Sequence, residues 1–93
     1  MNRKKLFYMS KHRGCKEMDI ILGAFADEHL DQLTADELIV YERLLIESDA
    51  MIYEAMMKII CDKGSIDSKL QYAQTLLIRI AILHKNRQQL ILK

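Results

Sequence analysis

The chain contains no proline, and glycine occurs at only three places, Gly14, Gly23 and Gly64. An all-β protein of this size needs many tight turns, which draw on Gly and Pro for backbone angles other residues avoid. That scarcity argues against a sheet fold and leaves long elements joined at few corners. The apolar residues repeat accordingly. Met18, Ile21, Leu22 and Phe25 fall at i, i+3, i+4 and i+7, one face of an amphipathic helix. The expected fold class is all-α: a small five-helix bundle, one domain over residues 1–93.

A short basic helix is predicted over residues 3–12, with Leu6, Phe7 and Met9 as its apolar content. Gly14 then stands where a helix end or tight turn favours positive φ. The second helix runs from about Cys15 to His29. The third has the clearest local signal. In Thr34-Ala35-Asp36-Glu37 the hydroxyl and the carboxylate each satisfy a free backbone N–H, forming a capping box, and Leu33 and Leu38 are placed as the hydrophobic staple. This helix reaches about Ile46 with Leu38, Tyr41, Leu44 and Leu45 inward. Ser48, followed by Asp49, starts a fourth with Met51, Ile52, Ala55, Met56, Ile59 and Ile60 as its apolar positions. Gly64 is expected to end or follow it. Ser65 or Ser68 is expected to cap a long fifth helix, with Leu70, Ala73, Leu77, Ile80 and His84 along one side.

A content of 51% hydrophobic and 29% charged residues places the chain among soluble globular proteins, not disordered ones. The net charge of +1 hides segregation. Residues 1–16 carry six Lys or Arg and no acid, residues 17–62 carry twelve acids against Arg43 and Lys58, and residues 63–93 return to six bases against Asp67. An acidic middle between basic ends makes no case for nucleic-acid binding, and none is expected. Cys15 and Cys61 have no CxxC or metal spacing and are read as reduced thiols of an intracellular protein. The N-terminus shows no apolar signal region, and the stretch before residue 13 is too short for a transit peptide. The longest apolar run, Leu76 to Leu83, is broken by Arg79 and is far shorter than the ~20 residues of a spanning helix. The localisation expected is the bacterial cytoplasm, with a mature organellar protein second.

No constellation for catalysis is found. His12, His29 and His84 lie far apart without HExxH, Cys–His spacing or a carboxylate ladder, so no metal site is expected. Cys15 sits near bases but lacks the signature of a Cys–His nucleophile. Met51, Met56 and Met57 read as gap-filling core. The basic first helix reads as a solvated face.

The stretch Arg-Gly-Cys-Lys-Glu-Met-Asp, residues 13–19, asks for more. Gly14 turns the chain, and Glu17 and Asp19 favour the positive end of the next helix. At about 100° per residue these two acids lie on opposite flanks of Met18 and cannot form a close carboxylate pair. Arg13 is expected to face solvent, contributing little to stability, beside a backbone with no side chain to block approach. Glu17 is expected to join it in contacting a partner, and Asp19 to pair with the basic first helix. An open, charge-dense corner of this kind suits docking against another protein, and His12 is placed with it.

These residues carry a resemblance. Arg13, Gly14, Glu17 and Asp19 match the Arg-Gly-x-x-Glu-x-Asp signature of the FAD assembly (flavinylation) factors of succinate dehydrogenase, the SdhE-type proteins. Leu33, Thr34, Glu37, Arg43, Leu44 and Leu45 match the following Leu-[Ser/Thr]-x-x-Glu helix start and Arg-Leu-Leu. The similarity covers about residues 3–88. Ala50 and Ala55 depart from it, standing where the family often has Pro and Trp, and Cys15 occupies a position the motif leaves free. The resemblance implies a five-helix bundle that binds the flavoprotein subunit of succinate dehydrogenase, and in some bacteria that of fumarate reductase. It implies that the factor promotes covalent attachment of FAD to a histidine of the client. The factor itself would supply no catalytic group, hold no FAD stably and insert in no membrane. Arg13, Gly14, Glu17, Asp19 and His12 are the expected partner-binding residues. A regulatory or antitoxin-like protein is an alternative. A chorismate-mutase-like enzyme is a weaker one, since the middle helices offer only Arg43 and Lys58 to a dianionic substrate.

Overall fold

The computed structural model describes the backbone of residues 2–92 and the side chains of residues 2–88. Among these, five α-helices form: α1 (Arg3–Lys11), α2 (Lys16–His29), α3 (Ala35–Ile46), α4 (Asp49–Cys61) and α5 (Gln74–Leu92). Short 3-10 segments, Leu30–Gln32 and Ser68–Ala73, precede α3 and α5.

Helix starts follow the local chemistry. Asn2 caps α1 through its side chain, which accepts from the Lys5 N–H at 3.2 Å. The capping box of α3 is complete: Thr34 Oγ1 accepts from the Glu37 N–H at 3.1 Å, and Glu37 Oε1 accepts from the Thr34 N–H at 2.9 Å. That second bond holds the Glu37 carboxyl below its usual range. Ser48 caps α4 by accepting from the Met51 N–H at 3.2 Å.

After α4 one expectation holds in its second form, Gly64 following the helix, and one needs correction. The left-handed residue that ends the helix is Asp62, at φ 53°, with Gly64 (φ 102°) two positions later. Asp tolerates this region better than most residues because its short polar side chain hydrogen-bonds locally. The cap before the fifth element is neither Ser65 nor Ser68. Asp67 fills that role, its carboxylate accepting from the Lys69 N–H at 2.8 Å. Leu70 and Ala73 consequently lie in the 3-10 segment, yet both are buried, as are Leu77 and Ile80 of α5.

Helix α1 lies against α2 and α3, α2 against α5, and α4 against α5. Between them Leu6, Leu22, Phe25, Tyr41, Leu44 and Met56 are fully enclosed. Burying each such side chain contributes about 1.5–3 kcal/mol. The radius of gyration is 12.5 Å, close to the roughly 12 Å of a compact globule this long. The Phe25 and Tyr41 rings meet with centroids 5.6 Å apart. One buried polar link crosses this core. Ser10 Oγ donates to the Leu6 carbonyl at 2.7 Å and so accepts from the Tyr41 hydroxyl at 2.6 Å. Burial pushes the Tyr41 phenol up to about 12. At the edge, Arg79 of α5 meets Glu37 of α3 at 2.8 Å, which explains a base inside the apolar run.

Candidate functional site

The chain leaves α1 at His12, turns through Arg13 and Gly14, and enters α2 from Cys15. Gly14 is exposed at φ 87°, a left-handed conformation that favours glycine, and a Cβ there would meet nothing within 4 Å. Its neighbour is far less open. The Arg13 side chain is only 10% exposed. Its Nε donates to Asp49 Oδ1 at 2.8 Å, one terminal nitrogen donates to the Leu45 carbonyl, and the other to the Glu47 carbonyl at 2.7 Å.

These acceptors form the junction between α3 and α4. Helix α3 ends at Ile46, so its last carbonyls have no intrahelical partner and carry the negative end of the helix dipole. A planar guanidinium reaches these acceptors from three separate nitrogens in fixed directions, as an ammonium with its donors on a single nitrogen cannot. Asp49, in the first turn of α4, completes the charge pairing. The junction is tied from its far side as well. Glu47 Oε2 accepts from the Tyr72 hydroxyl at 3.3 Å, and the Arg43 guanidinium lies 4.1 Å above the Tyr72 ring. Partial burial and the Glu47 carboxylate together raise the Tyr72 phenol.

The solvent-facing arginine expected from the sequence is therefore corrected: Arg13 is turned into the molecule, because three acceptors from the α3–α4 junction surround it. Asp19 is partly corrected. It does serve this chain's own structure, but it accepts the backbone N–H of Arg13 instead of pairing with a base of α1. The two acids of the stretch do diverge, as their spacing predicts. Glu17 is exposed and has no ion pair among the described residues. It borders a 320 Å³ cleft whose other walls include Ile20, Ile21, Tyr53, His84 and Arg87. Burial lowers the His84 pKa, Glu17 acts in the opposite sense, and Arg87 adds to the lowering. His12 is exposed and stacks on Tyr8, which is 64% exposed, with ring centroids 4.1 Å apart.

The structure thus sorts the stretch into an inward pair, Arg13 and Asp19, and an outward set, Gly14 and Glu17, flanked by His12 and Ile20. From the sequence Asp49 is only part of a helix start, and nothing near it signals the arginine it meets. Both cysteines are free and exposed. Among the described residues no His, Cys, Asp and Glu group could hold a metal ion, and no helix is long and apolar enough to cross a membrane.

Fold and corner together define a small all-α bundle that presents a bare, glycine-centred edge held from behind by an arginine. The family described as flavinator of succinate dehydrogenase matches residues 4–73, and this chain belongs to that family of succinate dehydrogenase assembly factors. Its relatives include proteins named "succinate dehydrogenase assembly factor 2, mitochondrial". That of Lodderomyces elongisporus is 43% identical over 53 residues, which are 57% of this chain and 32% of the relative. That of Dictyostelium discoideum is 43% identical over 56 residues, 60% of this chain and 40% of the relative. That of Caenorhabditis briggsae is 46% identical over 43 residues, 46% and 35% respectively. The match thus takes in well under two thirds of each relative's length. No solved structure matches. The bacterial cytoplasmic localisation expected from the sequence is overturned, because these relatives are named mitochondrial and come from eukaryotes.

Proposed function

We propose that this chain docks on the flavoprotein subunit of succinate dehydrogenase and favours covalent attachment of FAD to that subunit. The chain contributes shape and not catalytic groups: FAD stays with the client, and the factor holds none stably. The observation that carries this reading is Gly14, a bare backbone in open space within the family signature, near an exposed Glu17 that has no ion pair among the described residues. Such an edge lets a partner backbone approach closely, and Glu17 supplies a charge for orientation. His12, Arg13 and Asp19 complete the partner-binding region, the last two by supporting it.

The decisive measurement is in-gel flavin fluorescence of the client subunit, expressed with and without this protein. Strong fluorescence only with the factor supports the reading, and equal fluorescence in both overturns it. Gly14→Arg, in the same assay, should fold yet abolish client binding, since a long side chain at this position stands between the two surfaces. Circular dichroism separates that outcome from unfolding.

A further inference from the structure

We propose that Arg13 is a positioning residue that does not touch the client, and that it acts through Asp49 and the α3–α4 junction. This inference rests on the docking reading above and names what holds the docking edge in place. All three guanidinium nitrogens are engaged within the molecule, to Asp49, Leu45 and Glu47, acceptors 32 to 36 residues away in sequence. At its other end the Arg13 backbone N–H is held by Asp19 of α2. The residue is therefore fixed on both sides, immediately before Gly14. Glycine takes either sign of φ readily, so an unsupported Gly14 would let the edge sample several directions. With Arg13 clamped, one direction is set, and docking need not order the corner first. The base of the clamp is itself anchored, because Glu47 also accepts from Tyr72.

The positioning role has a signature that direct contact lacks: Asp49 should matter to docking as Arg13 does. The test measures calorimetric affinity for the succinate dehydrogenase flavoprotein subunit with wild type, Arg13→Ala, Asp49→Ala and the double variant. Thermal unfolding and amide exchange at Gly14, Cys15 and Lys16 are followed in parallel. Each single variant is expected to weaken binding about tenfold, the size of ordering a few groups. The double variant should be no weaker than the worse single one, and exchange at the corner should quicken in all three. Should an alanine variant fail to fold, Arg13→Lys and Asp49→Asn take its place, and partial loss in both is the expected result. Weakened binding for the Arg13 variant beside wild-type affinity for the Asp49 variant means that Arg13 touches the client, and overturns the proposal. Lower melting temperatures with unchanged affinity in both also overturn it, leaving a purely structural clamp. Absence of binding by the wild type removes the docking reading itself, and the proposal with it.

Discussion

Two corners of the molecule turn on a glycine with positive φ, Gly14 at 87° and Gly64 at 102°, and beside each a Cβ would meet open space. What holds them differs. The first corner is fixed from far along the chain, by the Arg13 fork on the α3–α4 junction and by Asp19. The second is held by short-range bonds: the Asp62 N–H to Ile59, the Lys63 N–H to Lys58, and the Gln71 amide to Ile66, whose side chain is buried. A turn glycine marks where a chain can bend. It does not reveal whether the bend is secured against the rest of the fold, and that difference separates a connecting loop from an edge able to present residues to a partner.

The largest test of this contrast removes the fork. Arg13→Ala should lower unfolding free energy by about 3 kcal/mol, because a largely buried cation leaves two carbonyls and Asp49 short of a partner. Lys63→Ala, beside the second glycine, should stay within about 0.5 kcal/mol, as exposed substitutions usually do. Urea denaturation measures both, and equal losses break the comparison.

Next come the glycines themselves. Gly14→Ala and Gly64→Ala should each cost about 1–2 kcal/mol, since both force an L-residue into left-handed backbone. Their stabilities should therefore move together while function separates them. Client flavinylation should fall for Gly14→Ala alone, and a matching fall for Gly64→Ala would erase the distinction between the corners.

A smaller effect tests whether Arg13 is the principal polar tie between the first corner and α3. Tyr41→Phe removes the link to Ser10 and should cost about 1 kcal/mol, because Ser10 keeps its bond to Leu6. Its pH behaviour follows from the raised phenol. The folded pKa is about 12 against an ordinary 10.0, so this contribution is complete below pH 10 and is lost as pH rises from 10 through about 12. Stability curves of wild type and Tyr41→Phe should draw together and cross within that window, since a shift of this size is worth more than the roughly 1 kcal/mol that separates them at neutral pH. Parallel curves would mean that Tyr41 ionises equally in both states.

The smallest change sharpens the second corner. Asp62→Gly, at φ 53°, should stabilise the protein by about 0.5–1 kcal/mol without altering client binding. Reduced binding would place that corner in the docking surface after all.

Sequence alone determined the helices and the inward faces of α2 and α3, because a period of 3.6 residues and caps that close within four residues are local properties. Thr34 and Glu37 could be paired on sight for that reason. It also singled out the stretch proposed here for docking, through the order and spacing of Arg13, Gly14, Glu17 and Asp19, and it separated the two acids by helical angle. Short-range competition was harder to read. Asp67 took the cap expected of Ser65 or Ser68, and Asp62 ends α4 while Gly64 only follows it, because several residues there could serve and small differences in backbone energy chose among them. The direction of Arg13 was decided only in three dimensions. A guanidinium beside a turn serves solvent, a client or its own fold equally well until the chain returns with acceptors, and these arrive on Leu45, Glu47 and Asp49. No local pattern encodes that meeting. Folding brings the fork and the helix end together, and burial makes the contact strong enough to hold the corner.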